Sequence, residues 1–189
     1  MQRAIKDVGE CKMNLIQQWR AKRIGTDILA THWLLHLNFG QKIVKRKLAR
    51  CGKNVWLRPG CLLVDMDSIE IGDNVVIRPG TEIYANTARG AKIVIGNNVL
   101  ICSKVIITVN NHNYSNPETP IMQQGGTSKS INIKEGAWIG VNAVILYKTW
   151  SIGKNSVVAA GAVVTKEVPD NCVAAGIPAR VIRRIEPTN

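Results

Sequence analysis

From residue 51 onward, aliphatic residues recur every six positions. An amphipathic helix would space them by three and four, and a hairpin would alternate by two. The triplets Cys51–Leu57–Leu63, Ile71–Ile77–Ile83, Ile95–Ile101–Ile107, Ile133–Ile139–Ile145 and Ile152–Val158–Val164 fill all fifteen such positions with apolar residues. In a chain that is 46% apolar, chance would do this about once in a hundred thousand registers. Four of the five triplets open on a related pentapeptide: Ile71-Gly-Asp-Asn-Val, Ile95-Gly-Asn-Asn-Val, Ile152-Gly-Lys-Asn-Ser and, more faintly, Cys51-Gly-Lys-Asn-Val. Gly and Asn supply the left-handed backbone that a tight corner needs. The pattern predicts short strands joined by corners, three strands closing a triangular coil of about 18 residues with the repeated aliphatics stacked inside.

The interruptions mark where the coil departs from regularity. Beyond the period of six, two residues are added between 63 and 71, six between 83 and 95, twenty between 107 and 133, and one between 145 and 152. The longest insertion predicts a loop over residues 108–130 that leaves the solenoid at a corner, and long loops on rigid scaffolds are common sites of function. It contains His112, the one histidine of the repeat region.

Residues 1–50 lack the repeat and read as helical. Met13, Ile16, Trp19 and Arg20 fall at helical spacing, and Thr26-Asp27 can cap a second helix through Ile28, Leu29, Trp33, Leu34, Leu35 and Leu37. A basic run follows: Lys42, Lys45, Arg46, Lys47 and Arg50. The net charge of the whole chain is +12, and two-thirds of it lies in this first quarter. A helical cap over the solenoid end is one reading. Peripheral contact with an anionic membrane surface is another. Nucleic acid is not expected as a partner, because no helix-turn-helix, zinc finger or aromatic-basic motif accompanies the charge.

The stretch Ile28–Phe39 is too short and too polar to cross a bilayer. No secretory leader pattern opens the chain. Five cysteines without a Cys-x-x-Cys pair argue against a disulfide framework or a structural zinc and for a reduced, cytoplasmic setting, at most peripheral at the inner face of the membrane. Only 9 residues are aromatic (5 Trp, 3 Tyr, 1 Phe), so the core must be aliphatic.

Two segments carry a family resemblance across residues 50–185. One is Val109-Asn-Asn-His-Asn-Tyr, with Pro117, Pro120-Ile and Gln124-Gly, leading into Trp138-Ile-Gly. The other is Ala159-Ala-Gly-Ala-Val-Val-Thr-Lys-Glu-Val-Pro-Asp-Asn followed by Val173-Ala-Ala-Gly-Ile-Pro-Ala-Arg-Val-Ile-Arg-Arg. Together they resemble the hexapeptide-repeat acyltransferases, in particular the sugar O-acetyltransferase branch with its maltose and galactoside acetyltransferases and polysaccharide-modifying relatives. The resemblance implies a mainly β fold, a left-handed parallel β-helix over 51–168. An N-terminal helical segment (1–50) would precede it and a coenzyme A-contacting tail (169–189) would follow. It implies acetyl-CoA as co-substrate, no metal, and a homotrimer with sites between neighbouring solenoids.

The same resemblance implies His112 as general base, taking a proton from an acceptor hydroxyl. It places coenzyme contacts at Trp138, Gly140, Val141, Ala160, Thr165, Lys166, Arg180 and Arg183, with a backbone N–H of Gly140 or Val141 facing the developing oxyanion. Tyr84, Asn86 and Asn110 are candidate acceptor contacts. Cys102 is expected to be a small core or corner residue, not a nucleophile.

This chain departs from the family pattern where Ile145-Leu is followed by Tyr147-Lys-Thr-Trp-Ser instead of Pro-Gly, where Asn110 replaces an acidic residue, and at Ser130. N-acetylation of an amino sugar or xenobiotic uses much the same scaffold. A non-catalytic solenoid is the alternative of another class. A γ-type carbonic anhydrase needs three His ligands, and the repeat region has one.

Overall fold

The computed structural model describes Leu35 and residues 40–186. The helices expected before residue 40 lie outside the described residues. The first described element is α1 (Gly40–Lys47). Val44 of this helix and the following Leu48 are buried in the same hydrophobic cluster as the first coil. Its basic run is not uniformly solvated: Lys42 and Arg46 are exposed, whereas Lys47 is buried.

Five coils follow. The first holds β1 (Arg50–Cys51), β2 (Trp56–Leu57) and β3 (Leu62–Val64). The second holds β4 (Ile69–Ile71), β5 (Val76–Ile77) and β6 (Glu82–Tyr84), and the third β7 (Ile93–Ile95), β8 (Leu100–Ile101) and β9 (Ile106–Thr108). A hairpin of β10 (Asn110–His112) and β11 (Gly126–Ser128) intervenes. The fourth coil is β12 (Ile131–Ile133), β13 (Trp138–Ile139) and β14 (Val144–Ile145), and the fifth β15 (Ser151–Ile152), β16 (Val157–Val158) and β17 (Val163–Val164). Then β18 (Cys172–Gly176) and β19 (Ala179–Arg184) close the chain.

The strands stack into three sheets, in the orders β1-β4-β7-β12-β15, β2-β5-β8-β13-β16-β18-β19 and β3-β6-β9-β14-β17. All pairings between coils are parallel, and the fold is a left-handed parallel β-helix.

The register is the one the sequence spacing predicts. Cys51, Ile71, Ile95, Ile133 and Ile152 align in the first sheet. Leu57, Ile77, Ile101, Ile139 and Val158 align in the second, and Leu63, Ile83, Ile107, Ile145 and Val164 in the third. All are buried except Cys51, which is half-buried in the first strand.

At the corners between first and second sheets, Gly and Asn divide the work differently from the expectation. In four coils the left-handed residue is the Asn: Asn54, Asn74, Asn98 and Asn155 have φ between 49° and 57°, while Gly136 takes that place in the fourth coil with φ 70°. Their side chains form a ladder, Asn54 Nδ2 to Asn74 Oδ1 at 3.1 Å and Asn74 Nδ2 to Asn98 Oδ1 at 3.0 Å. The Gly two positions earlier is needed for close approach instead. A Cβ on Gly96 would stand 2.7 Å from the Glu135 amide nitrogen of the next coil.

The insertions are absorbed at the third-to-first corners. The two extra residues form a turn at Met66–Ser68, and the six form a turn at Thr87–Arg89 closed by an Asn86–Ala91 bridge. The single extra residue near Trp150 is taken up by Thr149, which is buried and donates its hydroxyl to Val164 O at 2.9 Å.

Replacing Ile101 with Ala should destabilise the fold by about 2–5 kcal/mol through lost burial and a cavity. Gly96→Ala, which adds only a methyl group, should cost about 1–3 kcal/mol by overpacking. Denaturant unfolding of both variants measures this, and an unchanged midpoint for Gly96→Ala would refute the close approach of coils three and four.

Candidate active site

The insertion of residues 108–130 is an ordered arm. Val109 is fully buried, so the third coil ends there and the arm begins. Strands β10 and β11 pair antiparallel as Asn110–Ser128, Asn111–Thr127 and His112–Gly126, and Lys129 N donates to Val109 O at 3.0 Å. The distal part is tied by its own amides: Gln124 Nε2 donates to Asn116 O at 2.8 Å and Thr119 O at 2.7 Å, and Asn113 Nδ2 donates to Gln124 O at 3.1 Å.

Asn86 joins this arm to the second coil. Its Nδ2 donates to Asn110 Oδ1 at 2.7 Å and reaches Ser128 Oγ at 3.3 Å, while Ser128 Oγ donates to Asn110 Oδ1 at 2.9 Å. Asn86 and Asn110, read from the sequence as acceptor contacts, thus have polar atoms committed to positioning the hairpin.

His112 is exposed on β10, and its imidazole makes no hydrogen bond among the described residues. It lines a cleft of about 490 Å³ with Asn86, Arg89, Asn110, Asn111, Met122 and the Gly125–Gly126 backbone. Sequence reading missed Arg89, which lies in the six-residue insertion of the second coil. Tyr84 does not line this cleft. Its hydroxyl donates to Glu82 Oε2 at 2.5 Å, and that bond, with burial and the carboxylate charge, pushes the phenol up to about 12.

The expected coenzyme contacts fall into three places. Gly140, Val141 and Ala160 share the second-to-third corner of coils four and five, where a Cβ on Gly140 would lie 2.5 Å from Ala160 N. The Gly140 N–H donates to Val158 O at 2.8 Å, whereas the Val141 N–H has no partner among the described residues. So of the two candidate oxyanion donors, Gly140 is occupied and Val141 is available. Trp138, half exposed on β13, donates its indole N–H to Cys102 Sγ at 3.2 Å; Cys102 is half-buried at the corner after β8.

Thr165 and Lys166 stand at the third-to-first corner, the edge from which the hairpin also springs. There Lys166 lines a cleft of about 260 Å³ with Lys148, Trp150 and Glu167, and Lys129 Nζ sits 5.2 Å from the Trp150 ring centre. Arg180 and Arg183 are exposed on β19, opposite Ala175 and Val173. Within one chain, none of these lines the His112 cleft.

Over 147 residues, 77% of this chain and 68% of the relative, the sequence is 35% identical to galactoside O-acetyltransferase of Escherichia coli (strain K12). The chain belongs to the hexapeptide-repeat O-acetyltransferases. A second acetyltransferase of this kind, the galactoside O-acetyltransferase of Lactococcus lactis subsp. lactis (strain IL1403), is 36% identical over 135 residues, 61% of this chain and 63% of that one. No family model matches. Among solved structures, a galactoside acetyltransferase in complex with coenzyme A superposes with TM-score 0.73 at 28% identity, covering 93% of this chain and 85% of the other. A hexapeptide-repeat-containing acetyltransferase from Vibrio cholerae gives 0.76 at 26%, covering 93% and 96%. Among the described residues, no group of His, Cys, Asp and Glu could hold a metal ion in this acetyltransferase, and no helix is long and apolar enough to cross a membrane.

Asn110→Ala should free the hairpin base without touching the coils. Thermolysin is then expected to cut near Ile121–Met122 several-fold faster, while the unfolding midpoint of the solenoid stays within about 0.5 kcal/mol of the parent. Equal cleavage rates would show that the amide network does not hold the arm.

Proposed function

We propose that this protein transfers the acetyl group of acetyl-CoA to a hydroxyl of a saccharide, with His112 as the general base. The observation that carries this reading is His112 itself: an imidazole without a partner among the described residues, in a polar cleft, on an arm fixed to rigid coils. A neutral imidazole there takes the proton of the acceptor hydroxyl as its oxygen bonds to the acetyl carbon. The carbon–sulfur bond breaks, and the proton passes to the departing thiolate. The Val141 N–H faces the negative charge that grows on the acetyl oxygen.

The chain's own cations suit the coenzyme. Lys148, Lys166, Arg180 and Arg183 form no ion pair among the described residues, so they can meet phosphates. At their corner, Gly140 and the exposed Ala160 present no bulky side chain to an approaching thioester arm. Support for the co-substrate also comes from the coenzyme A complex of the related galactoside acetyltransferase.

His112 and Val141 occupy different corners of one solenoid, so a working site needs two copies of the chain, one giving the hairpin and the other the corner of coils four and five. A cyclic homotrimer meets this requirement with identical interfaces. The acceptor class follows the named activities of the relatives, galactosides among them.

The test is thiol release from acetyl-CoA with a panel of neutral, acidic and amino sugars. His112→Ala should lower kcat by about 10²–10⁴-fold while KM for acetyl-CoA changes little, and sedimentation should give three chain masses. Turnover indifferent to His112→Ala would sink the mechanism, and absence of coenzyme binding would leave a scaffold.

Equal mixing of His112→Ala chains with Ala160→Trp chains, the second blocked at the corner, provides a separate check. If sites form between chains, co-refolded mixtures recover part of the activity that neither variant shows alone. No recovery would place both halves in one chain.

A further inference from the structure

We propose that Arg89 reads the acceptor: it binds the carboxylate or phosphate of an anionic saccharide beside His112. This inference rests on the acceptor-site reading of the His112 cleft and names the acceptor's chemistry.

The argument begins with Gly126. It is the direct cross-strand partner of His112. Directly opposed residues of an antiparallel pair project to the same face, with Cβ atoms about 4.5–5.5 Å apart. A Cβ built on Gly126 would lie 2.6 Å from Arg89 Nη1 and 3.4 Å from Nη2. The guanidinium therefore occupies the seat that the side chain of residue 126 would fill, next to the His112 imidazole. Glycine at 126 leaves that seat open, and a Cβ there would also stand 2.6 Å from the Asn111 carbonyl oxygen.

The turn that bears Arg89 is anchored as well. Asn86 Oδ1 accepts from the Arg89 backbone N–H at 3.0 Å, and the same Asn86 donates to Asn110 at the hairpin base. One amide side chain thus fixes both the turn bearing Arg89 and the strand bearing His112.

The charge around Arg89 points to an anionic ligand. No Asp or Glu lines the cleft, whose other polar walls are the amides of Asn86, Asn110 and Asn111. Arg89 forms no ion pair among the described residues. A planar fork with an open edge, beside neutral amides and a base, suits bidentate contact with a carboxylate or phosphate. A neutral sugar would leave it unmatched.

The experiment compares galacturonate with its methyl ester, and galactose 6-phosphate with galactose. Both kcat/KM by thiol release and binding by calorimetry without acetyl-CoA are measured. Wild-type protein should favour the anionic member of at least one pair by about 10- to 100-fold. The pair that shows the preference identifies carboxylate or phosphate. In Arg89→Gln the ratio should fall to about 1. Arg89→Lys, which keeps the charge and loses the fork, should retain part of it. Arg89→Met, which keeps an unbranched stem and loses the charge, should also abolish it, and supplies the test if Arg89→Gln does not fold.

Ratios near 1 for the wild type in both pairs, ratios retained in Arg89→Gln, or an effect confined to KM for acetyl-CoA would each overturn the proposal. Anion-selective binding without thiol release on any acceptor would retire the catalytic reading and keep the anion site. Thiol release without charge preference would do the reverse.

Discussion

Successive coils hydrogen-bond in parallel, and parallel strands must lie about 4.8 Å apart. That single spacing governs the rest of the molecule. It brings each aliphatic onto its counterpart in the next coil, as in the run Leu63, Ile83, Ile107, Ile145 and Val164. It presses each corner on the next so closely that Gly72 would meet Asn97, and Gly96 would meet Glu135, if either carried a side chain. It also forbids insertions inside a strand, because an extra residue there would reverse inside and outside for everything after it. Additions can enter only at corners, and that is where the turns at Met66–Ser68 and Thr87–Arg89 and the hairpin all lie.

This constraint explains which features could be read from the sequence. The inward positions follow a strict period, so the coil strands, their register and the core were all legible in the sequence. The corner chemistry was legible by residue type but not by role, because the closeness of Gly96 to Glu135 is a relation between coils that no local pattern expresses. The arm announced itself by its length, and His112 by being the one histidine of the repeat. Arg89 left no such trace. Its place depends on Gly126, far along the chain, and an arginine in an irregular stretch looks like any solvated cation. Asn86 and Asn110 were recognised as neighbours of the site, but their role as struts came only from the hydrogen bonds they share with Ser128. For Gly140 and Val141, the difference lay in which amide the next coil had already taken. The helices proposed before residue 40 fall outside the described residues.

A division of labour between edges follows. The second-to-third corner is regular, with close backbone contact and an open amide at Val141. The third-to-first edge is irregular and collects the inserted residues, including the Arg89 turn, the hairpin and the Trp150 bulge. The irregular edge is where length and sequence can change without disturbing the core, and the regular edge is where they cannot.

The last two strands give the solenoid its end. A stack of parallel coils presents unpaired strand edges on which another copy could continue, the route by which β-structures become fibres. The second sheet stops instead on a strand that runs against the others. The chain reverses at Ile177-Pro178, and β19 runs antiparallel along β18. It carries Arg180, Arg183 and Arg184, all exposed. A second solenoid arriving end-on would meet a strand of the wrong direction. In that sheet, a fold with a fibre's internal geometry is interrupted by the direction of one strand.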